Sequence, residues 1–152
     1  MTYIFNENQF KPGKIKGTLV TGINFASLTC QIYDSSTETF YGGTPVRIIN
    51  TTKGDYVIEK AKTTNAILGV VIFDRKKNNS VAGDFVDVAL SGNIMFMEAG
   101  AAINAGALVE AVATGDKVIT SAGTNTVLGR ALVAAAASGD MIPVLIDPTL
   151  VK

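Results

Sequence analysis

Histidine and tryptophan are absent from this 152-residue chain, and cysteine occurs once. Without histidine, a Ser-His-Asp triad or a Cys-His dyad cannot be built. A zinc site needs clustered Cys and His, which one cysteine cannot supply. A lone cysteine also rules out an intrachain disulfide. Cys30, in the apolar run Leu28 to Tyr33, reads as a small core residue. Charge is scarce: 13 basic and 13 acidic residues make 17% of the chain and sum to zero. That balance provides no field for nucleic acid. No apolar run approaches the ~20 residues of a membrane span. The start, Met1 to Glu7, lacks the basic head and apolar middle of a signal peptide, so cytoplasmic synthesis without export is expected. There is no phosphate-binding loop and no dinucleotide fingerprint. The calcium-loop run of alternating aspartates is missing. Asp84 and Asp87 are the closest carboxylates on a strand pattern, but alternation points them to opposite faces. No cofactor and no metal are expected.

Hydrophobic residues are plentiful, at 47%, which speaks against disorder and suits one domain over residues 1–152. Short runs rich in Val, Ile and aromatics recur between Gly, Asn, Asp and Thr. Among them are Pro45 to Ile49, Tyr56 to Glu59, Ile67 to Phe73, Phe85 to Leu90, Asn93 to Met97, Val127 to Val133 and Met141 to Ile146. This spacing is that of an all-β sandwich or barrel. In Phe85 to Leu90, alternation puts Val86, Val88 and Leu90 on one face. Met95-Phe96-Met97 reads the same way, with one side core and the other an apolar surface to be covered. It differs from the Met-Lys-Met turn of biotinyl and lipoyl carriers at the residue that performs the chemistry, Phe96. Ala99 to Ala105 and Ala131 to Ala137 are the helix candidates, worth one or two turns. Arg75 to Ser80 reads as a solvated hairpin tip.

Four segments recur in the same order. Gly43-Thr44-Pro45-Val46 aligns with Gly106-Ala107-Leu108-Val109, and Gly54-Asp55-Tyr56-Val57-Ile58 with Gly115-Asp116-Lys117-Val118-Ile119. Ile67-Leu68-Gly69 aligns with Val127-Leu128-Gly129, and Gly83-Asp84-Phe85 with Gly139-Asp140-Met141. Two β units result, 42–90 and 105–146, joined by 91–104. Neither has strands enough to bury both faces alone. Gly69 and Gly129 mark equivalent bends or close approaches. The expected fold is mainly β: a small β-barrel or β-sandwich from two internally repeated β units, with one or two short helical turns. An extended N-terminal arm, residues 1–16, offers Tyr3, Ile4, Phe5 and Phe10 as apolar handles, which serve either the core or the binding of a partner.

The series Gly69-Val70-Val71, Gly83 to Gly92, Ala105 to Val109, Gly129 to Leu132 and Gly139 to Ile146 resembles the capsid decoration, or structural cement, proteins of tailed bacteriophages. The similarity runs from about Gly42 to Asp147 and carries no catalytic signature. It implies a structural virion protein, not an enzyme, on the capsid exterior. Its partners would be the major capsid protein and copies of itself, as dimer or trimer, with neither nucleic acid nor membrane. The alternative class is a β-rich binding module for carbohydrate or a host surface. The lack of Trp and the 7% aromatic content lower that alternative.

Overall fold

The computed structural model describes residues 16–19, 26–49, 56–62, 66–74, 76–77 and 79–148. Ten strands run along the chain: β1 (Ser27–Ile32), β2 (Pro45–Ile48), β3 (Val57–Lys60), β4 (Gly69–Val71), β5 (Phe85–Ala89), β6 (Ile94–Glu98), β7 (Leu108–Ala111), β8 (Val118–Thr120), β9 (Val127–Ala131) and β10 (Met141–Ile146). The mainly β expectation holds, and among the described residues there is no helix.

The first five strands close into a barrel in the order β1-β3-β2-β4-β5. β1 runs antiparallel to β5, with Thr29 opposite Asp87 and Gln31 opposite Phe85. It closes the barrel against β3 in parallel, Gln31 to Val57 and Ile32 to Ile58. Alternation fills the interior, because every second side chain of a strand faces inward. Cys30, Ile32, Val46, Ile58, Val71, Val86 and Val88 pack there around Phe40.

The last five strands form a second sheet in the order β6-β10-β9-β7-β8. With each label lowered by five, this is the neighbour order of the barrel. Its outer strands meet at a single parallel bridge, Ala99 to Val118. Hydrogen bonds recur at matching places. Gly43 N donates to Val71 O and Gly106 N to Ala131 O, both at 2.8 Å. Ile32 N donates to Asp84 O and Ala99 N to Asp140 O, again at 2.8 Å. Each of those aspartates follows a glycine of positive φ, Gly83 at 83° and Gly139 at 95°, a conformation open to glycine without steric cost. Each carboxylate then caps its turn: Asp84 Oδ2 accepts from Val81 N at 2.7 Å and Asp140 Oδ2 from Ala137 N at 3.0 Å.

Two expectations need correction. The Ala-rich stretches are extended, not helical: Ala131 ends β9, and Ala135 pairs with Ile103 across an antiparallel bridge. Pairing between distant segments here overrides the helix preference of alanine, a weak prior. Each sheet also begins a strand earlier than the borders 42 and 105. β1 closes the barrel, and β6, within the stretch read as a joint, belongs to the second sheet.

The two units share a buried seam. Val70 and Ala89 face out of the barrel and pack with Met95, Met97, Leu128, Ala131 and Val144 of the second sheet. Lys16 to Leu19 threads along this seam. Gly17 N donates to Phe96 O at 2.7 Å, Phe96 N donates to Thr18 O at 3.0 Å, and Phe73 N donates to Gly17 O at 3.0 Å. β6 is thus flanked on its outer edge, and Met95, Phe96 and Met97 are all buried.

Candidate functional site

The outward side chains of β5 are Phe85, Asp87 and Ala89. Ala89 is covered by the second sheet, while Phe85 and Asp87 stand open. Phe85 is 70% exposed, a high value for a large apolar side chain. It borders a groove of about 470 Å³ with Thr29, Tyr41, Gly42, Phe73 and the loop residues Asp74, Lys76 and Asn79. That volume falls within the range of ligand-sized clefts. Tyr41, 46% exposed, forms the wall nearest the seam.

Polar groups in the groove are already engaged with each other. Thr29 Oγ1 donates to Asp87 Oδ1 at 2.6 Å. Asp74 Oδ1 accepts the backbone N–H of Lys76 at 2.8 Å. Lys77, also part of the groove lining, pairs with Asp84, and that ammonium, with the Val81 N–H, holds the Asp84 carboxyl below the usual carboxylate range. The basic tip of the sequence reading is therefore partly tied down at Lys77. Arg75 and Asn78 lie outside the described residues.

At the seam, Lys60 is almost wholly buried, and its Nζ sits 2.9 Å from Asp116 Oδ1 and 5.9 Å from the centre of the Phe40 ring. Lys16 Nζ donates to the backbone carbonyl of Asp116. Burial pulls the Lys16 ammonium below the usual lysine range, against the opposing pull of Glu98 and Asp116. The β7–β8 turn thus plugs into the barrel mouth between two cations, one from β3 and one from the entering chain.

Cys30 is buried inside the barrel; burial foremost, and then Asp87, pushes its thiol up to about 11. It is placed for packing, as read from the sequence. Asp84 and Asp87 serve different partners, Val81 and Lys77 for one and Thr29 for the other. Among the described residues no group of three or more His, Cys, Asp or Glu is placed to hold a metal ion. Tyr3, Ile4, Phe5 and Phe10 lie outside the described residues, so their contacts are not part of this geometry.

The groove itself escaped the sequence reading. One signal for it was present: if Val86 and Val88 face the core, Phe85 must face outward. The loop and Tyr41, which turn an exposed ring into a groove, come from distant parts of the chain.

The described strands thus form two packed β units, with an exposed groove on the first. The chain belongs to the phage cement protein family, whose profile matches residues 37–146. It is accordingly a structural protein of the phage virion, associated with the capsid. Among solved structures it is similar to the head fiber gp8.5 N base in bacteriophage phi29. The TM-score is 0.59 at 16% identity, over 82% of this chain and 96% of that one. At that identity the likeness is one of fold. No curated protein matches the chain.

Proposed function

We propose that this protein binds the outer surface of a phage capsid and stabilises the shell by bridging neighbouring capsid subunits. The observation that carries this reading is the presence of separate exposed apolar surfaces on one body. Ile48, Tyr56 and Val81 lie on the barrel unit, and Leu132 and Val133 follow β9 of the second unit. A bridge needs two contacts held at a fixed distance, and the buried seam supplies the rigidity. Each contact can be weak, because engaging a repeating lattice at several points multiplies the strength of attachment. The N-terminal arm adds a third element, with Tyr3, Ile4 and Phe5 at its tip and Phe10 nearer its root as handles on a neighbour. It would join that neighbour by adding an edge strand. Partners are the major capsid protein and copies of this chain on the shell.

The test is electron microscopy of shells lacking the protein, mixed with the full chain and with a chain deleted for Met1 to Phe10. Density at regular lattice positions, touching two capsid subunits at once, is the expected result. Occupancy should fall for the deleted chain while its circular dichroism stays unchanged. Density resting on a single subunit overturns bridging, and equal occupancy overturns the role of the arm. Binding confined to glycans would return the protein to the binding-module class.

A further inference from the structure

The described chain begins beside the groove. Lys16 shares a surface recess with Tyr41, Gly42 and Phe73, three residues that also line the groove. The approach is close: a Cβ on Gly42 would stand 2.8 Å from Lys16 O and 2.7 Å from Phe73. A Cβ on Gly17 would meet Gly43 N at 2.2 Å. Three glycines therefore let the entering backbone lie against the groove wall, and Phe73 N holds it there through Gly17 O at 3.0 Å. Residues 1–15 emanate from this fixed point.

We propose that the groove is the seat of this chain's own arm, with Phe10 packed against Phe85 and Tyr41. Phe10 lies six positions before Lys16, and an extended chain covers at most ~3.3–3.6 Å per residue, so the span available is about 20 Å. Pro12 and Gly13 stand between them, residues suited to reversing the chain direction. Phe10 brings an aromatic ring to a groove whose mixed lining presents the rings of Phe85, Tyr41 and Phe73 beside polar groups. The arm carries Glu7, Lys11 and Lys14, and the groove lining carries both signs of charge as well, in Asp74, Asp87 and Lys76. Being tethered, the arm meets the groove at a millimolar effective concentration, so a weak contact is filled without a second molecule. The groove has room for a pair of side chains and not for the whole arm. Seating Phe10 leaves Tyr3, Ile4 and Phe5 beyond the rim, pointed away from a fixed root. This changes the role of Phe10 from a handle on a neighbour to an internal anchor of the arm, and rests on the proposed bridging only for what Tyr3, Ile4 and Phe5 then touch.

The chain contains no tryptophan, so Phe10→Trp creates a sole indole reporter in the free, full-length protein. Its emission is expected to be blue-shifted, shielded from acrylamide and independent of protein concentration. Adding Phe85→Ser or Tyr41→Ser should shift it to the emission of a water-exposed indole. Phe85 is largely open and Tyr41 about half open, and neither belongs to the buried core, so far-UV circular dichroism should not change. A water-like emission in Phe10→Trp alone overturns the proposal, as does a blue shift that Phe85→Ser leaves in place. A shift that appears only at high concentration assigns the groove to a second copy and overturns seating within one chain. No shell is present in this measurement, so its outcome is separate from that of the bridging experiment.

Discussion

Lys60 of the barrel and Asp116 of the second sheet form an ion pair of 2.9 Å whose cation is buried and whose anion is half open to water. The asymmetry decides the cost of breaking it. Removing a partner from a fully buried pair costs ~3–5 kcal/mol, because a bare charge is left inside. Water that reaches Asp116 can also reach part of the gap, which lowers the figure toward that of exposed pairs. Asp116→Ala is expected to destabilise the protein by about 1–2 kcal/mol. Lys60→Met, which removes the buried charge itself, should cost less. Urea unfolding midpoints of the two variants check the order.

Gly129 and Gly69 are matched close approaches, and no side chain fits at either. A Cβ on Gly129 would lie 1.9 Å from Leu145 O, and one on Gly69 would lie 2.1 Å from Ala89 O. Both obstacles are strand carbonyls, which cannot swing aside as a flexible side chain could. Gly129→Ala and Gly69→Ala should each destabilise by roughly 1–3 kcal/mol or more, as overpacked sites do. At an open position the same change is commonly stabilising, by ~0.4–1 kcal/mol. Thermal unfolding distinguishes the signs.

Glu110 is a buried carboxylate on β7 that organises the turn after β8. Its Oε1 accepts from Asn125 Nδ2 at 2.7 Å and its Oε2 from Ala122 N at 3.3 Å. Glu110→Ala removes the acceptor of both donors; water can reach the exposed Ala122 and the half-buried Asn125, so the loss is that of ordinary hydrogen bonds, about 0.5–1.5 kcal/mol each. Glu110→Gln keeps an acceptor and should lose less. Hydrogen exchange at the Ala122 amide should speed up in the alanine variant first.

Asp84 links stability to pH. Its carboxyl sits below the ordinary value, chiefly through Lys77 and then through the Val81 N–H. A group depressed in the folded state contributes fully above the unfolded pKa, near 4, and loses that contribution as pH falls through the folded value. The stability gap between the protein and Asp84→Asn should therefore be constant near neutrality and shrink with acidification below roughly pH 4. Denaturant midpoints measured across acid pH provide the check.

Cys30 should be silent to thiol reagents in the folded protein. It is buried, and its pKa of about 11 leaves little thiolate near neutral pH. Alkylation by iodoacetamide at pH 8 should follow global unfolding, speeding up in parallel with added urea. Fast labelling of the native protein would contradict the barrel interior described for this residue.

Local chemistry in the sequence was enough to find most strands. The Val86 and Val88 alternation, the Gly-Asp turns at Gly83 and Gly139, and the crowding at Gly69 and Gly129 all follow from two- to six-residue patterns, and each has its counterpart in the fold. What failed depends on partners far away in the chain. β1 reads as an alternating strand once its pairing is known, yet its partners β3 and β5 lie well downstream, and nothing near Ser27 announces them. Ala131 to Ala137 looks helical by composition because its true partner, Ile103, lies in another segment. The groove was invisible for the same reason: Phe85, Tyr41 and Asp74 become neighbours only when the barrel closes. The four arm residues named from the sequence remain proposed handles.

Gly17 donates its N–H to one unit and accepts at its C=O from the other, so it acts as a rivet through both. In the proposed bridging role, a load arriving along the arm would be divided between the two sheets at Gly17. Neither sheet can be peeled strand by strand while its neighbour stays unloaded. A tether set at the rim of a single sheet would concentrate the same force on one edge strand, the element of a β protein that detaches most readily.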